Sequence, residues 1–130
     1  MIDISDEEFD KLIGWAMDKL PQQYIKGMTN VAVVYQDDPT PEQRQRLSLH
    51  PGQTLFGLYE GVALPQRQGN IGAYGPDKIT IFKGPLTMAC DTLPQLKAQV
   101  LHTLWHEIGH YYGLDHKRIH ELEQKPRRPR

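Results

Sequence analysis

Apolar residues recur along this chain in two rhythms, and each predicts a different kind of element. Phe9, Leu12, Ile13, Ala16, Met17 and Leu20 fall on one face at helical spacing. Ser5 and Glu8 form an S-x-x-E capping box at the start of that helix, and Pro21 stops it. Asn30-Val31-Ala32-Val33-Val34-Tyr35 is too short and too β-branched for a helix and reads as a buried strand. Residues 36–53 carry Pro39, Pro41 and Pro51 among polar groups and read as a long connection with one helical turn near Glu42 to Leu47. A weaker strand from Thr54 to Glu60 is interrupted by Gly57. A Gly- and Pro-rich loop from Gly61 to Asp77 follows. Lys78 to Lys83 alternates cleanly as a third strand, ended by Gly84-Pro85. A long helix then runs from about Thr92 or Pro94 to Tyr112, capped by Asp91 or Thr92 and ended by Gly113. A short final helix spans Lys117 to Gln124. Helix, strands, then helix predicts an α+β domain with a small mixed sheet.

At 130 residues and 15.0 kDa the chain has room for one core. The expected organisation is a single domain over residues 1–124 and a disordered basic tail, Lys125-Pro126-Arg127-Arg128-Pro129-Arg130. The apolar runs are far short of a membrane span, and the acidic N-terminus lacks the layout of a signal peptide. A lone cysteine, Cys90, cannot form an internal disulfide, so the cytoplasm is the expected location. A formal net charge of −1 gives no global pull toward nucleic acid or anionic lipid, although the tail is a candidate polyanion-binding arm. The sequence leaves the oligomeric state open, and a monomer fits.

The chemistry concentrates in the predicted long helix. His106 and His110 are four residues apart, so their side chains lie about 40° apart on one face and one turn apart along it. Two imidazoles so placed suit two positions on one zinc ion. Glu107 sits beside the pair, where it can act as a base on a water held by the metal without ligating the metal itself. A straight helix cannot supply a third ligand. Gly113 can take positive φ and turn the chain back, which brings His116 toward the metal. The full run matches H-E-x-x-H-x-x-G-x-x-H. Leu96, Val100, Leu104, Ile108 and Tyr111 form the opposite, apolar face, while Gln95, Gln99 and His102 lie on the histidine side. His102 reads as a support to the ligands or as packing, and Asp115 as a helix-terminal carboxylate. Cys90 and, on the last helix, Glu121 or Glu123 are the other conceivable ligands.

Around this run the sequence resembles the small bacterial zincin-like metallopeptidases. The matching blocks are Phe9 to Pro21, Asn30 to Val34, Leu55 to Gly61, Pro76 to Pro85 and Leu101 to Gly113, in the family's order. The resemblance implies a zincin-like fold, zinc held by His106 and His110, Glu107 as general base and a peptide or protein as substrate. The third-ligand position, often Asp in that family, is His116 here. No methionine follows His116, so the methionine turn of true metzincins is absent. In zincins the substrate lies along an edge strand, for which Phe56 to Gly61 is the candidate. The residue that stabilises an oxyanion is open among Tyr74, Tyr111, Tyr112 and His120. Two other readings stand beside the peptidase: a zinc- or peptide-binding module without catalysis, and a three-histidine endoribonuclease. The ribosomal-RNA-maturation endonucleases have a similar histidine run, but with Gly where this chain has Glu107.

Overall fold

The computed structural model describes residues 1–66 and 76–124. Both the basic tail and much of the predicted loop 61–77 lie outside the described residues. Helix α1 spans Asp6–Lys19, and the Ser5 hydroxyl accepts the Glu8 backbone N–H at 3.1 Å. The reciprocal half of the expected box is altered, because the Glu8 carboxylate accepts from the Ser5 hydroxyl. Phe9, Leu12, Ile13, Ala16 and Leu20 are buried. Pro21 does end this helix, but a second short one, α2 (Gln22–Lys26), starts directly after it. Pro21 is tolerated there because the N–H it lacks would have no partner at a helix start.

Three strands form one mixed sheet in the order β1-β3-β2. Strand β1 (Val31–Gln36) runs parallel to β3 (Asp77–Phe82), pairing Val33 with Ile79 and Tyr35 with Ile81. Strand β2 (Gly57–Glu60) runs antiparallel to β3, pairing Leu58 with Thr80 and Glu60 with Lys78. It is shorter than the predicted span from Thr54, although the Phe56 carbonyl still accepts the Phe82 N–H at 2.9 Å. Between β1 and β2 lies α3 (Pro41–Arg46), where Thr40 and Gln43 make a complete capping box.

The predicted stop at Gly84-Pro85 is instead the first turn of α4 (Lys83–Ala89). A proline in a first turn removes an N–H that has no helical acceptor, so it starts a helix as readily as it ends a strand. Helix α5 spans Leu93–Tyr111, capped reciprocally by Thr92 and Gln95. Its apolar positions Leu96, Val100, Leu104, Ile108 and Tyr111 are fully buried. Leu96, Val100, Leu104 and Ile108 share one core with α1 and with Ile79 and Ile81 of the central strand. Helix α6 (His116–Gln124) closes the described chain. No helix among the described residues is long and apolar enough to cross a membrane.

Candidate metal centre

The third imidazole depends on how α5 ends. Gly113 takes φ of 74°, the left-handed conformation that a side chain disfavours. The Leu114 N–H then reaches back to the Gly109 carbonyl at 3.0 Å, and the Gly113 N–H to that of His110 at 3.0 Å. Asp115 follows as the cap of α6, its carboxylate accepting the Arg118 N–H at 2.8 Å. His116 is therefore the first residue of α6 and faces back along α5. The ligand-capable atoms of His106, His110 and His116 all lie within 4.8 Å of one another. Their ring centroids are 4.8, 5.0 and 5.4 Å apart.

Burial lowers the pKa of His106, and His110, His116 and His102 lower it further by repulsion. Burial and then His116 lower that of His110. Both imidazoles are thereby held neutral, the form whose lone pair binds a metal. Glu121 pairs with Arg118 at 3.8 Å, and Glu123 pairs with His102. Neither joins the cluster. Cys90 is packed in the core, where burial raises the pKa of its thiol.

Glu107 is only 8% exposed, against the edge of the sheet. Burial raises its pKa from 4.5 to about 7, and a hydrogen bond from the Tyr59 backbone N–H opposes that rise by favouring the carboxylate. The bond follows from register. Phe56, Leu58 and Glu60 turn their backbone groups toward β3, so those of Gly57 and Tyr59 point to the open edge, where α5 passes. The predicted edge strand is thus at an edge among the described strands.

Gly57 is what lets α5 come this close. A Cβ there would stand 2.6 Å from Thr103 Cγ2 and 3.2 Å from Glu107 Cγ. Gly57→Ala should push α5 off β2 at a cost of about 1–3 kcal/mol, and thermal unfolding of the metal-free protein would measure it. Gly109 plays the same part for α6. Its Cβ would meet Ile119 Cγ1 at 2.5 Å, and Ile119 is the buried residue that docks α6 on α5. The Trp105 indole N–H donates to the Ile119 carbonyl at 3.3 Å. Neither glycine was singled out from sequence for this role. Their one signal was a glycine inside an otherwise regular strand or helix.

The four oxyanion candidates separate clearly. The Tyr111 hydroxyl accepts the Thr29 N–H at 3.0 Å, and its side chain is fully buried. The Tyr112 hydroxyl donates to the Tyr24 carbonyl at 2.6 Å. These two bonds fasten the end of α5 to the segment before β1 and to α2. Tyr74 lies outside the described residues. His120 lines a cleft of about 440 Å³ together with His102, His106, His116, Lys117, Ile119 and Glu123. On the β2 side, Glu107 and His110 open into a second cleft, of about 580 Å³.

A family model described as zincin-like metallopeptidase matches residues 28–125, which include the whole histidine cluster. A conserved hypothetical protein from T. thermophilus has a similar solved structure. Its TM-score is 0.55 at 19% identity, over 94% of this chain and 100% of that one, a likeness that bears on the fold alone. No functionally curated protein matches the sequence. The family match spans most of the chain. The chain belongs to the zincin-like metallopeptidase family.

Proposed function

We propose that this member of the zincin-like metallopeptidase family is a zinc-dependent hydrolase of peptide bonds, with His106, His110 and His116 holding the metal and Glu107 as general base. The observation that carries this reading is the convergence of three imidazoles beside one buried carboxylate. The donor set fits the metal: neutral imidazole suits zinc, and three protein ligands are the usual complement of a catalytic site. When bound, zinc supplies a Lewis acid that acidifies water to a pKa of about 7 and polarises a carbonyl oxygen.

The remaining work falls to the chain. Glu107 takes the proton of the attacking water on a carboxylate oxygen and returns it to the leaving amide nitrogen. Burial suits it to both steps by bringing its pKa near the working pH. The Tyr59 N–H fixes the direction of the carboxylate. An extended peptide laid along the β2 edge would put its main chain beside Glu107.

The test is to load the full chain with one equivalent of zinc and offer it a proteome-derived peptide library, with the products read by mass spectrometry. Cleavage should vanish on chelation and return with zinc. Cleavage that survives chelation, or a chain that retains no zinc, would overturn the reading. Zinc retained with no cleavage would leave the non-catalytic binding module in its place.

A further inference from the structure

Helix α6 runs back along α5, and three contacts along its length fix that direction. His116 faces His106 and His110, with ring centroids 5.0 and 5.4 Å away. One turn on, the Ile119 carbonyl accepts the Trp105 indole N–H at 3.3 Å. A further turn on, the Glu123 carboxylate is hydrogen-bonded to Nδ1 of His102. The two helices therefore set two rows of ligand-type side chains against each other. On α5, His102, His106 and His110 follow at intervals of four residues; on α6, His116, His120 and Glu123 follow at four and three. Five of the six histidines of the chain stand in these rows.

His106, His110 and His116 occupy one end of the pair of rows. At the other end, His102 and Glu123 bring an imidazole nitrogen and a carboxylate oxygen into contact from different helices. Two donors on one zinc ion, each about 2.0–2.2 Å from it, stand about 3.3 Å apart. An ion can therefore take the place of the proton between these two with little movement of either side chain. Both side chains are open to the solvent from which an ion would come, at 52% and 28% exposure. His120 lines the same cleft. The His102 and His106 rings lie 6.2 Å apart, and the two sets have no side chain in common, so ions held by them occupy separate sites.

We propose that His102 and Glu123 form a second, weaker site for a divalent transition metal ion, zinc foremost, with water filling its remaining positions. Imidazole beside carboxylate selects such ions over magnesium and calcium, which take oxygen ligands. An ion there joins α6 to α5 beyond Ile119, so the helix that carries His116 is held at both ends. The site uses none of the residues on which the hydrolase reading rests, so either can fail without the other.

The experiment titrates zinc into the metal-free full chain by calorimetry and follows the histidine ring signals by NMR over the same additions. Two equivalents should bind, the second at least about a hundredfold more weakly because it has two protein donors in place of three. The His102 ring signals should respond chiefly to the second. Glu123→Gln keeps an oxygen that accepts from His102, so α6 stays docked, but removes the anionic donor. It should bind the first equivalent like the parent and weaken the second by more than about tenfold. His102→Ala should lose the second equivalent altogether. Because both side chains are partly exposed, the two variants should melt close to the parent. His106→Ala combined with His110→Ala should lose the strong site and keep the weak one. A chain that binds one equivalent only, or a His102 ring that does not respond, overturns the site. A second equivalent untouched by Glu123→Gln and His102→Ala is an adventitious ion only and overturns it equally. A second equivalent weakened in both variants sustains the site, whether or not any peptide is cleaved.

Discussion

Glu107→Gln should retain one zinc per chain and lose peptide hydrolysis by about 10²- to 10⁴-fold, the usual weight of a general base. Glutamine keeps the volume of the side chain and an oxygen that can accept the Tyr59 N–H, so the geometry of α5 against β2 is preserved. What it lacks is the ability to take a proton from water. Equal turnover in this variant, on any peptide the parent cleaves, would remove Glu107 from the mechanism.

The same substitution carries a second readout in the metal-free protein. Burial raises the Glu107 pKa from 4.5 to about 7, so the folded state favours the protonated form. Its contribution to stability is fully present below pH 4.5 and is lost as the pH rises through about 7. At about 1.4 kcal/mol per pH unit, the loss is on the order of 3 kcal/mol at pH 8. Glutamine is neutral throughout and avoids it. Metal-free Glu107→Gln should therefore be the more stable protein at pH 8, and the two should converge near pH 4.5. Denaturant melts of both proteins across that range would check it. Parallel curves would mean that the carboxyl is not buried as found.

Much of this site was legible in the sequence because it lies on one long helix. The rhythm of Leu96, Val100, Leu104 and Ile108 determined which face of α5 is buried, and so which face carries His106 and His110. Gly113 marked where the chain must turn, since little else adopts its backbone conformation cheaply. The short helices α2 and α4, of 5 and 7 residues, were not legible. Segments of that length are held by tertiary packing rather than by propensity, and a proline at their start looks the same as a proline after a strand. The hydroxyls of Tyr111 and Tyr112 were equally out of reach. Sequence places them next to the histidines, but the backbone groups they bond, at Thr29 and Tyr24, come from 82 and 88 residues away. The edge position of β2 depends on a parallel pairing between β1 and β3 that no local pattern encodes.

Replacing His116 by alanine should lower zinc affinity by more than about a hundredfold, since it removes one of three donors, but that outcome tests only the ligand. Gly109→Ala asks whether the docking of α6 is what presents it. The added Cβ would meet Ile119 Cγ1 at 2.5 Å and Cδ1 at 2.6 Å. Ile119 is β-branched and stiff at χ1, so α6 must shift rather than the side chain swing aside. His116 begins α6 and moves with it. We expect zinc affinity to fall about ten- to a hundredfold, the scale on which groups behind metal ligands act. Global stability should change little by comparison. Alanine gains about 1 kcal/mol over glycine within a helix, which offsets much of the overpacking. A loss of affinity without a loss of stability is thus the signature of a misplaced ligand. Adding Ile119→Ala to Gly109→Ala should return part of the affinity by making room for the new methyl group, although it costs about 2–4 kcal/mol of core packing. Competitive titration with a chromogenic zinc chelator would give all four constants of the cycle. If Gly109→Ala binds zinc like the parent, or if the double variant is no better than the single, α6 does not position His116 through this contact.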